Sequence, residues 1–263
     1  MTVHQSDNRV EMFTLPGIPE ITPNSDLGQL VLDSMQRLGA SLREGDVLAV
    51  AQKVISKAEN RFRYLSDIEP SRRAWEISAQ SGKDARKVQA ILDESTEILR
   101  VVDTTPDGLV IARHKCGWVC ANAGIDESNI GESDGEKILL LPLNPDASAR
   151  RLAESIQAAT GVRPGVVITD TFGRPWRKGL VNVAIGVDAV APILNWVGKT
   201  DAYGRRLQIS QQAYADEIAA ASGLLMEKDA ATPVVVFRGL RWNATPAASG
   251  RDYVRTLEED LFK

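Results

Sequence analysis

The feature that most constrains the fold is a short apolar run that ends abruptly in charged residues. Residues 46–52 enclose the sequence Val-Leu-Ala-Val-Ala, which is wholly apolar and partly β-branched. A run of this length and composition predicts a strand that is buried on both faces. Because residues 53–57 read Lys-Val-Ile-Ser-Lys, charged side chains are expected where this strand ends.

The rest of the chain alternates between helix and strand patterns. Helical spacing and end signals predict helices at residues 27–38, 71–96, 145–160, 209–225 and 252–262. Apolar runs predict further strands at residues 98–102, 109–112, 137–141, 166–169, 181–187 and 233–237. Residues 105–108 favour a turn and so predict a hairpin, and Ser25 is a candidate cap for the first helix. The patterns predict mixed α and β layers in one unit, residues 1–263, that could divide into two subdomains.

Composition excludes several classes of protein. The 263 residues are 43% hydrophobic, which suffices for a core, and the net charge of -4 predicts no general attraction to nucleic acid or anionic membranes. No apolar stretch reaches the roughly 20 residues of a membrane span. Cys116 and Cys120, with only His4 and His114 to help, fall short of a zinc set, so a reduced, cytoplasmic protein is expected. A lone histidine is more often structural, and His114 is left outside the mechanism.

The first polar cluster follows the strand at residues 46–52. The ammonium groups of Lys53 and Lys57 and the hydroxyl of Ser56 are suited to phosphate oxygens. The alternative interpretation is a pair of solvated surface lysines. The chain contains no Gly-x-x-x-x-Gly-Lys-Ser/Thr pattern, so any phosphate site here is not a Walker loop.

The second cluster, residues 116–129, combines small residues with Asp126 and Asn129. Small residues let the backbone approach a ligand, and a carboxylate is a ligand that Mg²⁺ prefers. The alternative interpretation is an Asx-type turn in which Asp126 and Asn129 satisfy backbone donors. The two cysteines of this cluster are predicted to be small buried residues.

The third cluster, residues 168–179, is predicted to be a polar turn after a buried strand. Asp170 could hold a metal ion, and the planar guanidinium groups of Arg174 and Arg177 could bind a phosphate or a carboxylate. Trp176 could cover a ring or fill the core. The alternative interpretation is a turn that carries polar side chains without a ligand.

Taken in order, these clusters resemble the coenzyme F420-0 gamma-glutamyl ligase family. The resemblance covers nearly the whole chain, and it is specific because all of the matching stretches occur together in one chain. The stretches that carry it are AQKVISKAE at 51–59, GWVCANAGIDESN at 117–129, LPLNPDASA at 141–149, ITDTFGRPWRKG at 168–179, NVAIGV at 182–187, GKTDAYGRRL at 198–207, ADEIAAASGLLM at 215–226 and EEDLF at 258–262.

The resemblance implies an enzyme that adds L-glutamate to the carboxylate of coenzyme F420-0 while GTP is hydrolysed to GDP and phosphate. It also implies Mg²⁺ or Mn²⁺, as two ions, and an α+β fold that forms an intertwined homodimer. Amide formation from a carboxylate requires activation, and an acyl phosphate is the expected intermediate. Partners in nucleic acid or membrane are not expected.

Site residues follow from the matching motifs. Asp126 and Asp170 would hold the first metal ion, and Thr171 would help to hold the second. With Arg174 and Arg177, the two aspartates are the candidate catalytic residues. The candidate nucleotide-binding residues are Leu15, Gly17, Ile18, Lys53, Ser56, Lys57, Asn129, Met226 and Lys228.

The chain departs from the family pattern after Met226, where the family usually has a glycine and then a metal-binding glutamine. This chain has Glu227 and Lys228 instead. Three alternatives remain open: Glu227 binds the second metal ion, the ammonium of Lys228 replaces its charge, or the ion and the usual nucleotide preference are lost. Asn24 replaces a usual glycine, a milder change because asparagine tolerates left-handed backbone. No flavin-binding extension is expected beyond the ligase region.

Two other functions compete with the F420-0 ligase hypothesis. A diverged amide ligase on the same scaffold could use another acceptor or amino acid, and the residues at 227 and 228 are the feature that favours it. A non-catalytic nucleotide-binding protein would bind nucleotide without hydrolysing it, and the presence of both aspartates argues against it.

Overall fold

The computed structural model describes residues 9–103, 107–131, 136–227 and 231–260. In these stretches the strands and α-helices are, in chain order, β1 Glu11–Thr14, α1 Leu27–Arg37, β2 Val47–Ala51, α2 Gln52–Ala58, β3 Phe62–Tyr64, α3 Arg72–Ser81, α4 Ala85–Asp93, β4 Ser95–Val102, β5 Leu109–His114, β6 Val119–Ala121, β7 Lys137–Leu139, α5 Pro145–Thr160, β8 Gly165–Arg174, β9 Arg177–Asp188, β10 Ile193–Asn195, β11 Gln211–Ala213, α6 Tyr214–Ser222 and β12 Val234–Arg238. The predicted mixture of sheets and helical layers is confirmed.

A five-stranded sheet in the order β1-β12-β2-β8-β9 forms the centre of the molecule. Strands β2 and β8 run parallel, and the other neighbouring pairs are antiparallel. The predicted strand at residues 46–52 is confirmed as β2. Leu48 and Val50 pack in the apolar cluster that contains residues of α1 and α5, whereas Val47 and Ala49 pack in the cluster that contains residues of α6. Helices therefore cover both faces of the sheet, which explains why this strand is apolar throughout.

The structure confirms the predicted helix at residues 145–160 as α5, with the expected residues at both ends. Asn144 caps it by accepting a hydrogen bond from the Ala147 N–H, Pro145 occupies the first turn, and Gly161 ends it with a φ of 78°. The cap predicted for α1 is wrong. Asp26, not Ser25, accepts from a backbone N–H of the first turn, because the Ser25 hydroxyl instead accepts from the Thr22 N–H upstream.

A smaller layer, built from residues 62–139, lies beside the central sheet. It contains the three-stranded sheet β4-β5-β6, the pair β3-β7 and helices α3 and α4, with apolar clusters of its own. The single helical region predicted at residues 71–96 is two helices, because Gly82 adopts a left-handed φ of 75° and Asp84 caps a new helix. The predicted hairpin is confirmed as β4 and β5, although residues 104–106 of its turn lie outside the described residues.

Strand β8 continues further than the sequence predicts. The expected polar turn at residues 168–179 is a β-hairpin, in which β8 runs to Arg174 and β9 begins at Arg177. Strand β2 pairs with β8 only as far as Thr169, so the hairpin extends beyond the sheet. Thr171, Arg177 and Lys178 are exposed there, which is why these polar residues are compatible with strand conformation.

Three further differences concern the ends of the chain and the region before β12. Strand β1 was not predicted. The predicted helix at residues 209–225 shortens to α6, because residues 211–213 pair with β10 instead. The predicted helix at residues 252–262 is wrong up to residue 260: a 3₁₀ turn, Gly250–Tyr253, is followed by extended backbone at Val254, and the remaining residues lie outside the described part. No helix among the described residues is long and apolar enough to cross a membrane.

Candidate functional site

The first part of the site forms where β2 passes directly into α2. Gln52, the first residue of the helix, is buried and accepts a hydrogen bond from the Ser56 hydroxyl at 2.8 Å. Its side-chain amide donates to Asp126 Oδ2 at 2.6 Å. Ser56 thus fixes Gln52, and Gln52 fixes one oxygen of the Asp126 carboxylate. Sequence reasoning missed Gln52 as a site residue, although it lies inside the AQKVISKAE stretch.

Lys53 joins the first cluster to the second. Its ammonium lies 3.0 Å from Asp126 Oδ1 and donates to the Ser128 carbonyl at 3.0 Å. Asp126 itself is held in place by two backbone hydrogen bonds with Leu139, each 2.9 Å long. Two segments more than seventy residues apart therefore meet at one carboxylate. The interpretation of Lys53 as a solvated surface lysine is wrong, because its ammonium is engaged on the loop that carries Asp126.

Lys57 points to a different part of the chain. It is buried, and its ammonium lies 2.5 Å from Glu20 Oε1. This ion pair connects α2 to the segment after β1 that contains Leu15, Gly17 and Ile18. Leu15 is fully buried and its N–H donates to the carbonyl of Val234, whereas the Gly17 carbonyl accepts from Arg37 at 2.7 Å.

Asp170 brings the third cluster to the same place. Burial and the charge of Asp126 raise its pKa to about 7, against the opposing effects of the Thr171 N–H and the Lys53 ammonium. The Thr171 N–H donates to Asp170 Oδ1 at 2.8 Å. Like charges disfavour each other's ionised form, so the two aspartates oppose each other's ionisation, and the Lys53 ammonium counteracts this effect. A ligand with positive charge would stabilise this pair.

Hydroxyl and amide groups lie next to Asp170 along the sheet. The Thr171 hydroxyl donates to Asn182 Oδ1 at 3.1 Å, and Asn182 was not predicted as a site residue. The Met226 sulfur lies 3.9 Å from Thr169 Oγ1 and 3.9 Å from Asn182 Nδ2, so the segment after α6 contacts this part of the sheet. Glu227 is exposed, and Lys228 lies outside the described residues.

The two arginines of the third cluster lie farther away. At the strand rise of about 3.3 Å per residue, Arg174 is roughly 13 Å along β8 from Asp170. Its guanidinium donates to the Lys178 carbonyl at 2.9 Å. Arg177 begins β9, and Trp176 is 85% exposed, so its predicted role as core filling is wrong. The structure separates these residues from the aspartate pair.

His114 and the two cysteines occupy the structural positions predicted for them. The buried His114 ring accepts a hydrogen bond from the Cys116 N–H at its Nδ1. Cys116 and Cys120 are buried and unbonded to each other, and burial raises the pKa of both thiols, that of Cys120 to about 12. A thiolate nucleophile is therefore not favoured at either position.

The donor set has the composition expected for a divalent cation that binds together with phosphate. Two carboxylates, Asp126 and Asp170, interact through their charges, and the Thr171 backbone N–H donates to Asp170. Within the described ranges, no group of three or more histidine, cysteine, aspartate or glutamate residues is arranged to hold a metal ion by itself. Mg²⁺ commonly takes one or two carboxylates and completes its shell with water and substrate phosphates. The residues therefore fit a shared cation better than a metal held by protein alone.

Comparison with known proteins identifies relatives over almost the full chain. The model of the family described as F420-0:Gamma-glutamyl ligase matches residues 17–239. A protein of Archaeoglobus fulgidus named coenzyme F420:L-glutamate ligase is 44% identical over 256 residues, which cover 97% of each chain. A protein of the same name from Methanopyrus kandleri is 44% identical, and the alignment covers 93% of this chain and 94% of that protein. Another from Methanothermobacter thermautotrophicus is 38% identical, and the alignment covers 97% of this chain and 99% of that protein.

Proposed function

The chain belongs to the F420-0:Gamma-glutamyl ligase family and is a ligase enzyme, and we propose that it joins L-glutamate to coenzyme F420-0 through a gamma-glutamyl amide bond with GTP as the energy source. The observation that carries this proposal is the meeting of Asp126, Asp170 and Lys53. These residues come from three separate family-like stretches of sequence and lie at one end of the central sheet. Their charges suit the phosphate groups of a nucleotide and its cation.

The proposed reaction has two steps. An oxygen of the acceptor carboxylate attacks the γ-phosphorus of GTP, the bond to the bridging oxygen breaks, and GDP leaves with the bonding electrons. The amine of L-glutamate then attacks the acyl carbon, the bond from carbon to the phosphate oxygen breaks, phosphate leaves, and the amine loses a proton. Both steps concentrate negative charge on phosphate oxygens, so positive groups near those oxygens lower the barrier.

Each residue of the site has a proposed task in this reaction. Asp126 and Asp170 hold Mg²⁺ or Mn²⁺, which when bound neutralises charge on the transferring phosphoryl group. Gln52 keeps the Asp126 carboxylate oriented, through the hydrogen bond at 2.6 Å. Lys53 moves its ammonium from Asp126 to a phosphate oxygen when the nucleotide binds. Thr171 assists a second cation.

Further residues are proposed to bind the nucleotide and the second cation. Glu227, exposed beside Met226, supplies a carboxylate oxygen from the position next to the one where the family pattern has a glutamine. Asn129, Ser56, Lys57 and the segment with Leu15, Gly17 and Ile18 are proposed to form the nucleotide's surroundings. Arg174 and Arg177, at the hairpin tip, are proposed to bind carboxylate or phosphate groups that extend from the aspartate pair. Lys228 keeps its predicted role as a substitute for the second cation's charge or as a nucleotide contact.

A second copy of the chain is the proposed partner. The arm between β10 and β11 lies outside the central sheet and exposes Val197, Tyr203 and Ile209, the last two by 96% and 89%. Large apolar side chains that are exposed together commonly mark an interface. We propose that this arm packs on a second copy in a homodimer, which sedimentation of the purified protein would test.

A diverged ligase with another acceptor or amino acid is the second candidate. The observation that favours it is the pair Glu227 and Lys228, which differs from the pattern of the family. Residues at this end of α6 are linked to the sheet through the Met226 sulfur, so a change there can alter the nucleotide or cation site.

One assay distinguishes these functions. Purified protein is incubated with F420-0, L-glutamate, Mg²⁺ or Mn²⁺, and either GTP or ATP, and the products are resolved by mass. A product heavier by glutamate, formed only when nucleotide is present, supports the proposed function. Nucleotide hydrolysis without that product favours the diverged ligase, and the absence of hydrolysis in every mixture favours a nucleotide-binding protein.

A further inference from the structure

A cleft of about 280 Å³ is lined by Phe172, two residues beyond Asp170 on β8, and has no role in the reaction described above. It lies between the turn that joins β5 to β6, the hairpin β8-β9 and the segment after the 3₁₀ turn Gly250–Tyr253. Six of its lining residues matter for its chemistry: Arg113, Trp118, Val119, Phe172, Tyr253 and Arg255. We propose that this cleft binds the aromatic, anionic body of the carboxylate acceptor. The inference rests on the proposed function and gives the acceptor its place.

Aromatic side chains form the walls of the cleft. Trp118 comes from the β5-β6 turn, Phe172 from β8 and Tyr253 from the 3₁₀ turn, so three separate segments each contribute a ring. Aromatic rings offer flat apolar area for stacking, and small-molecule sites are usually lined in this way with a few polar groups to fix orientation. The Trp118 ring is buried, which fixes this part of the wall before any ligand arrives.

The turn before Trp118 and the segment after Tyr253 are in close contact, and this contact maintains the shape of the cleft. Gly117 has a φ of 106°, and a side-chain carbon added there would lie 3.0 Å from Val254 Cγ2. Only glycine adopts this backbone readily, and a larger residue would push Val254 away. The turn before Trp118 and the segment after Tyr253 therefore pack directly on each other, and the cleft exists without a ligand.

The charged groups that line the cleft are two arginines, Arg113 and Arg255, and two aspartates, Asp216 and Asp260. The Arg113 guanidinium lies 3.5 Å from Asp260 and 3.2 Å from Glu97, and Arg255 is exposed at the same edge. Asp216, which also lines the cleft, already accepts the Ala184 N–H at 2.8 Å. Planar guanidinium groups bind phosphate and carboxylate oxygens in pairs. Because Arg113 is already paired with two carboxylates, the exposed guanidinium of Arg255 is the group at this edge that can hold an anionic group of the ligand.

The position of the cleft suits the acceptor rather than the nucleotide. Phe172 is two residues beyond Asp170 on β8, so both side chains lie on the same face of the strand, about 7 Å apart along it. Val119 lies on β6, and the chain leads from β6 through one short turn to Asp126. A ring held between these two walls places its reactive carboxylate toward the pair of aspartates, where the phosphoryl group is transferred.

The test narrows the cleft without touching the aspartates. Val119 is 43% exposed on β6, so Val119→Trp adds bulk into the cleft from the solvent side. The matched control is Leu99→Trp, because Leu99 is 41% exposed on β4 of the same three-stranded sheet and does not line the cleft. F420-0 binding is measured by equilibrium dialysis without nucleotide, and the KM values for F420-0 and GTP are measured in the ligation assay.

The cleft is supported if Val119→Trp raises the Kd and the KM for F420-0 at least tenfold while the KM for GTP stays within twofold and Leu99→Trp matches the parent protein. Arg255→Gln should raise the same two constants about threefold to tenfold. Active Val119→Trp with an unchanged KM for F420-0 overturns the cleft and leaves the ligase function intact. A parent protein that makes no glutamate adduct overturns both.

Discussion

The two aspartates of the site, for which we propose the same role, differ in their surroundings. Asp126 has a lysine at 3.0 Å and an amide donor at 2.6 Å, whereas Asp170 accepts a hydrogen bond from the backbone of Thr171 and has no ion pair with any described residue. Burial and the charge of Asp126 raise the pKa of Asp170 to about 7. One carboxylate is neutralised before a ligand binds, and the other depends on the ligand for its counter-charge.

This difference indicates how the site is prepared for its substrate. A site with two fully neutralised carboxylates would have little affinity for a cation, and one with two bare carboxylates would protonate or destabilise the fold. Lys53 prevents the second outcome at Asp126, and the weaker compensation of charge at Asp170 supplies the attraction. The comparison predicts that removing either carboxylate stops the reaction, but that the two changes affect folding in opposite directions.

The largest expected effect comes from Asp170→Asn. Turnover should fall at least about 100-fold, since a ligand of the phosphate-bound cation is lost. The metal-free variant should nevertheless be as stable as the parent protein or more stable, because the amide removes repulsion with Asp126 and keeps the side-chain volume. A steady-state assay checks the fall in turnover, and thermal unfolding of the same preparation checks the stability. Parent-like turnover would disprove the role of Asp170 as a metal ligand.

The difference in stability between Asp170→Asn and the parent protein should also depend on pH in a defined direction. The pKa of Asp170 is raised from its ordinary value of 3.8 to about 7 in the folded protein, so the native state binds the proton more tightly than the unfolded state. Unfolding free energy contributed by this group therefore falls as the pH rises from about 4 to about 7. The advantage of the variant over the parent should grow over that interval and then level off. An advantage that shrinks with rising pH would contradict the raised pKa.

Asp126→Asn is the matched change on the other side of the comparison. Turnover should again fall at least about 100-fold. Unlike Asp170→Asn, this variant should lose about 1 kcal/mol of unfolding free energy, because Lys53 keeps its charge and loses its partner. Denaturant unfolding of both variants at neutral pH measures the difference. Equal shifts in the same direction would show that the surroundings of the two carboxylates do not differ in the way described.

Lys53→Met tests whether the ammonium that pairs with Asp126 also binds the nucleotide. The expected effect on activity is smaller than that of the aspartate variants. The KM for GTP should rise about tenfold, corresponding to one charge-assisted contact with phosphate. Lys87→Met is the control, because Lys87 is 28% exposed, against 27% for Lys53, and pairs with Glu127 next to Asp126. The control should bind GTP like the parent protein. A similar rise in both variants would assign the effect to general loss of positive charge.

Much of the central sheet was predictable from the sequence, and the geometry of the site only in part. Strand β2 and helix α5 follow from patterns within short stretches, the apolar run and the signals at Asn144, Pro145 and Gly161. The continuation of β8 to Arg174 was missed, since it depends on pairing with β9 and not on local propensity. Polar residues outside the sheet are compatible with either a turn or a hydrated hairpin, and the sequence alone does not distinguish the two.

The site residues, too, divide into those that a local sequence pattern indicates and those whose position depends on contacts between distant segments. Asp126, Asp170 and Lys53 were recognised as candidates because charged residues interrupt or follow apolar patterns. Gln52 and Asn182 carry no charge, and their importance comes from hydrogen bonds to Asp126 and Thr171 that link positions distant in the sequence. Arg174 and Arg177 were grouped with Asp170 because they are near it in the chain. Strand geometry separates them, since four residues of extended backbone span roughly 13 Å.

The smallest expected effect concerns the second cation and the departure after Met226. Lys228→Gln restores the usual residue of the resembling family, and if the ammonium displaces the second ion, the variant should bind about one more Mn²⁺ in the presence of GTP, with affinity raised several-fold. Glu227→Gln is the complementary change and should weaken that ion if the carboxylate is its ligand. Titration of Mn²⁺ into both variants and the parent checks this. Identical titrations would place both side chains outside the cation site, so that Asp126, Asp170 and Thr171 alone would account for metal binding.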